Sequence, residues 1–351
     1  MKKIDFSLVD QSNPYSLWFR RIAGGILAIM VGLSLSAYTV IQSKINALKS
    51  LTEAEERLDT HLPQLEPFPI SVDPKARLIT TGSNDEYVQK YFQEHISSAQ
   101  NNQWFDRLLA RVSQWGWYQN LATPDSRILI ILPGERKEEI ADNFAKILNW
   151  DTDKQKTFLQ NVTNNPPAFA EGTFAPGQYV VRNDASPQYV ARLVQDKFAR
   201  TVLSRYPNSL ETQVPLHDTL ILASILERES NKFTEMRVIS GIIWNRIFIN
   251  MPLQIDATLQ YVKVSDEGNI NWWPVPKPAD KYIDSPFNTY QNKGLPPTPI
   301  SNPELASILA ALNPIDTQCL YYFHDRQSNF HCSATYQGHI DKLTRYYGQG
   351  R

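Results

Sequence analysis

The chain has 351 residues, room for about two domains and a membrane segment. Its 35 lysines and arginines nearly balance 36 acids for a net charge of −1, which leaves no basic excess to hold nucleic acid. Two cysteines exclude a disulfide scaffold or a cysteine-ligated zinc site, and no GxSxG, HExxH, P-loop or paired-glycine dinucleotide fingerprint occurs.

Residues 22–41 are uncharged, mostly apolar and of about the length that spans a bilayer. Lys2, Lys3, Arg20 and Arg21 precede them and place the N-terminus in the cytoplasm. The run and its polar lead are long for a signal peptide, so an uncleaved single-pass anchor is expected, with everything after Lys44 outside the cytoplasm. Residues 42–77 read as a helical stalk and a spacer broken by Pro63, Pro67, Pro69 and Pro74. Aromatic and aliphatic spacing from Tyr87 to Val112 predicts two helices within residues 78–126.

Residues 127–132 (RILIIL) are a buried-strand candidate, turned by Pro133-Gly134-Glu135. An amphipathic helix over residues 137–150 presents Ile140, Phe144, Ile147 and Leu148 on one side. A helix near 154–162 and a strand near 179–181 complete a βααβ order over residues 127–182, which resembles the small glycan-binding LysM module. Residues 183–217 hold a connecting helix with Pro187 in its first turn.

Residues 218–351 form the last predicted domain, opened by DTLILASILERES. Asp218 can cap this helix, and Ile221, Leu222, Ile225 and Leu226 form its apolar stripe. Glu229 projects near the middle of the stripe; Glu227 projects almost opposite and reads as solvated. A carboxyl against apolar surface has its charged form disfavoured, so it can carry a proton near neutrality, as a general acid must. The helix alone favours the plainer reading, a helix-end glutamate that reaches water or pairs with Lys232. A helix over 233–250, an irregular stretch over 251–298 and a helix over 304–312 capped by Asn302 and Pro303 follow. Residues 320–323 and 330–333 suggest a hairpin, and a last helix covers 337–347. Pairing Cys319 directly with Cys332 needs a two-residue turn at Asp325-Arg326; the polar run to Asn329 centres the turn on Gln327, so free thiols are expected.

Polar groups suited to sugar hydroxyls and acetamides cluster in three places: Asn245-Arg246 with Gln254, Asp256, Thr258 and Tyr261; Ser285 to Tyr290 with the GLPPTP corner; and Thr335 with His339. Each residue type also caps turns or stiffens loops. LASILERES, WNRIFINMPLQIDATLQY, SPFNTYQNKGLPPTPISNP and ATYQGH, in this order and spacing, resemble the endolytic murein transglycosylases (MltG/YceG-like). The resemblance runs from about Arg127 to the C-terminus. It implies an α+β chain: a transmembrane helix, a LysM-like βααβ subdomain and a mixed α/β catalytic domain. The implied enzyme is a lyase of the plasma membrane, its catalytic domain extracytoplasmic. It would cut nascent peptidoglycan between N-acetylmuramic acid and N-acetylglucosamine, leave a 1,6-anhydro end and so terminate strand elongation.

The family's catalytic glutamate, second in its Glu-x-Glu-Thr/Ser segment, falls on Glu229. Substrate contacts are implied for Asn245, Arg246, Gln254, Asp256, Thr258, Tyr261, Asn288, Thr289, Tyr290 and His339. Glycan strands, the lipid bilayer and the cell-wall synthases of elongation are the implied partners, and no metal or cofactor is called for. Phe287, Gly177, Cys332 and Gly338 depart from the family pattern, and none of them touches the proposed acid. Two other classes stay open: a lysozyme-type hydrolase with Asp256 as second carboxylate, and a noncatalytic wall-binding scaffold.

Overall fold

The computed structural model describes residue 49 and residues 61–80, 85–97, 126–163, 171–264 and 271–348. The expected membrane run, nearly all of the stalk helix and the second helix expected before residue 126 lie outside these residues. Among the described residues no helix is long and apolar enough to cross a membrane.

The Pro-rich stretch from residue 61 has no regular structure until β1 (Val72–Asp73) pairs antiparallel with β2 (Leu78–Ile79). Helix α1 (Asp85–His95) follows, with Phe92 stacked on Phe233 at 4.1 Å. The predicted βααβ order is present. Strand β3 (Ser126–Ile131) pairs antiparallel with β4 (Gly177–Arg182), and α2 (Lys137–Leu148) and α3 (Thr152–Thr163) lie between them in the chain. Three residues of the predicted α2 stripe, Ile140, Phe144 and Leu148, are buried with Ala141 against Leu129, Phe158 and Tyr179, while Ile147 is only partly buried at the edge of that core. Helix α4 (Pro187–Thr201) starts at Ser186, whose hydroxyl accepts from Tyr189 N, and bridges two cores. Val190 and Val194 belong to the βααβ core, Phe198 to the larger one beyond it.

A 3-10 turn (Leu203–Arg205) and the short α5 (Asn208–Gln213) lead to α6 (Leu216–Glu229). Asp218 is not its cap. Pro215 stands there without a side-chain bond, and Asp218 sits in the first turn, where a carboxylate still suits the exposed amides. Helix α6 is the axis of the larger core: α7 (Phe233–Phe248), α8 (Asp256–Val262) and α9 (Leu305–Leu312) all pack on it. Helix α9 reads LASILAAL and is buried on nearly every side, so its first amides cannot be left to water. Asn302 does not cap it as expected. The cap comes from α6: Glu227 Oε2 accepts from Glu304 N at 3.0 Å and from the Ser307 hydroxyl at 2.7 Å. Glu227 is therefore a buried-side anchor, not the solvated residue its helical position predicts.

The stretch 251–298, expected to be irregular, holds helix α8 and a 3-10 turn (Pro278–Tyr282). The chain ends in the hairpin β5 (Tyr321–His324) and β6 (Phe330–Ser333) and in α10 (Tyr336–Tyr347), capped by Thr335 Oγ1. The hairpin turn is centred on Gln327 as expected, with Tyr322 opposite Cys332. The inference of free thiols from that register fails: Cys319 and Cys332 form a disulfide, their Cα atoms 5.8 Å apart. The reason lies before β5. Cys319 N donates to Thr317 Oγ1 and Asn245 Nδ2 donates to Thr317 O, a bend that brings Cys319 beside Cys332 instead of along a straight strand.

That bend is seated on Gly241 of α7, where an added Cβ would overlap the Ile315 carbonyl and lie 3.3 Å from Thr317 Cγ2. Both neighbours are held, because Ile315 N bonds Arg237 O and Thr317 O accepts from Asn245 Nδ2. Gly241→Ala is expected to lower stability by about 2–3 kcal/mol through this overlap, despite Ala's better helix propensity. A thermal melt checks it; an unchanged midpoint would mean that residues 315–319 shift freely.

Candidate active site

Helix α6 ends at Glu229 because Ser230 turns to extended backbone. The Ser230 hydroxyl then donates to Glu235 Oε2 at 2.8 Å and accepts from Lys232 N at 3.1 Å, which starts α7 in a new direction. The break opens a cleft of about 540 Å³, with Glu227, Arg228 and Glu229 on one side and His324 and Ser328 of the hairpin on the other. Glu229 is only partly exposed in it, and its Oε2 accepts from the Tyr322 hydroxyl at 2.9 Å. Burial pushes the Glu229 carboxyl up to about 7. The Tyr322 hydroxyl and the Arg228 charge pull down, and the Asp256 charge pushes up. Such a group holds a proton about half the time at neutral pH, so it can give one and take one back.

Asp256, at the start of α8, lies near enough for its charge to act on Glu229; its Oδ1 accepts from the Tyr290 hydroxyl at 2.7 Å. Burial, then the bond to Asp256, raises the Tyr290 phenol above its ordinary value, with Glu229 contributing. Gln254 is exposed with φ 51°, a left-handed conformation uncommon for a residue with a side chain, and its amide donates to Thr289 O.

The other predicted contacts sit in the scaffold. Thr258 and Thr289 are buried with their hydroxyls 3.0 Å apart, and Thr289 Oγ1 accepts from Ile255 N. The buried Asn288 amide donates to Lys281 O and Ile283 O and accepts from Tyr290 N, which holds the loop that carries Tyr290. Asn245 and Arg246 grip the bend before the hairpin, Arg246 Nε donating to Leu320 O at 2.6 Å. Its Nη1 donates to Leu253 O. Tyr261 lies under Arg136, whose guanidinium carbon is 4.0 Å from its ring centre. His339 stacks on Tyr321, and burial and the Arg246 charge lower its pKa. Thus Glu229, Asp256 and Tyr290 form one electrostatic group, while Tyr261 and His339 stand apart from it.

Tyr322 was missed in the sequence because it sits 93 residues from Glu229, in a strand that reads as hairpin filler. Glu235 was missed as well; it pairs with Lys232 at 2.8 Å and with His324 at 3.4 Å along the cleft wall.

The βααβ unit meets the cleft domain through Asn302. Its Oδ1 accepts from Gly172 N and Phe174 N at 2.8 and 2.9 Å. Its Nδ2 donates to Glu135 O and Glu171 Oε1 at 3.0 and 2.6 Å. Gly134, at φ 81°, turns β3 toward α2 and lies against Arg228, whose guanidinium covers Trp273 at 3.8 Å.

The profile of the YceG-like family matches residues 97–345. An endolytic murein transglycosylase of Bacillus subtilis (strain 168) is 29% identical over 199 residues, 55% of this chain and 53% of that protein. One of Streptococcus pneumoniae (serotype 2, strain D39) is 28% identical over 158 residues, 44% of this chain and 28% of that protein. The chain thus matches about half the length of the first of these relatives and less of the second. A crystal structure of a yceG-like protein from Listeria monocytogenes is similar with a TM-score of 0.53 and 25% identity, over 62% of this chain and 75% of that one.

Proposed function

Because this chain belongs to the YceG-like family, we propose that it is a peptidoglycan lytic transglycosylase with Glu229 as its single acid and base. The observation that carries the reading is a carboxyl raised to about 7 at a helix end in an open cleft, with one oxygen held by Tyr322. The names of the relatives support the substrate class.

In this reading Glu229 donates its proton to the oxygen between N-acetylmuramic acid and N-acetylglucosamine, and that bond breaks as positive charge develops on the muramoyl ring. The Asp256 carboxylate, hydrogen-bonded to Tyr290, faces this charge. The Glu229 carboxylate then takes the proton of the ring's own 6-hydroxyl, whose oxygen closes the 1,6-anhydro bond. The nucleophile is already in place within the substrate, so no second carboxylate has to activate water. The same proposal makes residues 22–41 a membrane anchor, the βααβ unit a LysM-like glycan holder and the cleft domain extracytoplasmic, where it would end growing strands.

Asp256 close to Glu229 also suits a muramidase with a second carboxylate. Mass spectrometry of products from purified glycan strands separates the two. Anhydromuramoyl ends, one water lighter than free sugar ends, are expected. Free reducing ends would assign hydrolysis, and uncut strands would leave a binding scaffold.

A further inference from the structure

Glu229 ends a helix, so little in α6 itself fixes the torsions of its side chain or decides which oxygen faces the cleft. The hairpin supplies that constraint. Tyr322 donates its hydroxyl proton to Oε2 at 2.9 Å and its ring stacks on Phe330 at 5.9 Å. Directly opposite Tyr322 in the β5–β6 register stands Cys332, and Cys332 is bonded to Cys319. Asn245 and Arg246, at the end of α7, hold Thr317 O and Leu320 O on either side of Cys319. The hydroxyl on Glu229 is thus located by a bracket: two α7 side chains, one disulfide and one strand register.

We propose that Tyr322 is a positioning residue for Glu229, and that the Cys319–Cys332 disulfide holds it in place. An oxygen that already accepts the Tyr322 proton is the poorer site for a second one. The transferable proton of Glu229 is therefore carried on Oε1, the oxygen left to face the cleft. This inference rests on Glu229 being the reacting acid.

A donor to the carboxylate favours its charged form. Losing the donor raises the Glu229 pKa, so the protonated acid persists to higher pH and the alkaline limb of the rate profile moves up. The other charged and titratable groups around Glu229 are Glu227 and Arg228 on its own helix, Asp256 on α8 and Tyr290 on its loop. Lys232, Glu235 and His324 also line the cleft, and none of these groups is altered in the test.

Three variants are compared with wild type: Tyr322→Phe, the pair Cys319→Ser with Cys332→Ser, and the combination of all three. Tyr322→Phe is expected to lower kcat about 10- to 100-fold with KM little changed. Its alkaline limb should move up by about one pH unit. The serine pair should show a smaller move in the same direction. Added to the serine pair, Tyr322→Phe should take the limb no further than Tyr322→Phe does alone.

Carbon-13 NMR of labelled glutamate, with the Glu229 signal assigned by its loss in Glu229→Gln, follows the same titration without substrate. If that titration stays where it is in Tyr322→Phe, the positioning role is wrong. If the serine pair loses thermal stability but leaves the limb in place, the disulfide has no part in it. A titration that moves in a protein making no anhydromuramoyl product would uphold Tyr322 and overturn the proposed reaction instead.

Discussion

Glu229→Gln is expected to abolish anhydromuramoyl product while leaving the fold intact. The amide keeps the size of the acid and an oxygen that can accept the Tyr322 hydroxyl, so the cleft should not rearrange. It cannot donate a proton to the leaving oxygen or recover one from the 6-hydroxyl. Losing a positioned acid costs about 100- to 10,000-fold, and here the same group also serves as base. Its stability effect has a definite sign. The folded pKa of about 7 lies above the ordinary carboxyl value of about 4.5, so the native state is stabilised relative to high pH while Glu229 holds its proton. That contribution is full below about 4.5 and is lost as pH rises through 7. The glutamine variant does not titrate, so its melting midpoint should match wild type near pH 4.5 and exceed it above pH 8, by at most about 3 kcal/mol in stability. Glu227→Gln is the control. It keeps an acceptor oxygen for Glu304 N and Ser307, so about 1 kcal/mol or less should be lost and the chemistry spared. Near-wild-type product from Glu229→Gln would sink the mechanism. Loss only in Glu227→Gln would move the catalytic role two residues upstream.

The family resemblance rather than the helix singles out Glu229 as the proposed acid, but the residue stands out in the sequence through a local signal: a helical stripe of Ile221, Leu222, Ile225 and Leu226 with one carboxyl projecting from its middle. The βααβ order and the hairpin were legible for the same reason, since periods of 3.6 and 2 need only neighbouring residues. Misreadings occurred where the deciding partner is far along the chain. Glu227 looked solvated because its partners on α9 are 77 and 80 residues away. Asn302 looked like a helix cap because Asn-Pro before an apolar run is the usual cap pattern, yet its amide faces Gly172 and Glu171. Thr258, Asn288 and Thr289 looked like sugar ligands, and the structure buries all three under hydrogen bonds to the irregular loop. A buried loop without a ladder must satisfy its backbone through side chains, so polar residues there serve two purposes that sequence cannot separate.

Asn302→Leu should be the most destabilising single change at the junction of the two cores. Leucine nearly matches asparagine in size, but all four side-chain hydrogen bonds go. Gly172 N, Phe174 N, Glu135 O and Glu171 Oε1 would each lose a bond they now make with Asn302. Glu135 O keeps the residue 302 backbone amide and Glu171 Oε1 keeps Lys137 N, so the cost falls chiefly on Gly172 N and Phe174 N. These cost about 1–3 kcal/mol each, for a total of about 3–5 kcal/mol with the two weakened acceptors. For a chain of 351 residues that is a drop of roughly 4–7 °C in the melting midpoint. Asn302→Asp tests the electrostatics of the same place. Burial raises the Glu135 and Glu171 carboxyls to about 8, so their contribution to stability is full below about 4.5 and is lost as pH rises through 8. Wild type should therefore melt at a lower temperature at pH 9 than at pH 5. Aspartate keeps the acceptor for Gly172 N and Phe174 N but turns an oxygen toward Glu135 O and Glu171 Oε1. A proton shared between the two carboxyls can bridge them at pH 5, and at pH 8 they repel. The gap between Asn302→Asp and wild type should then widen from pH 5 to pH 8. A gap that stays constant would show that Glu171 is already charged at pH 5, and a midpoint unmoved in Asn302→Leu would show that Asn302 does not lock the two cores together.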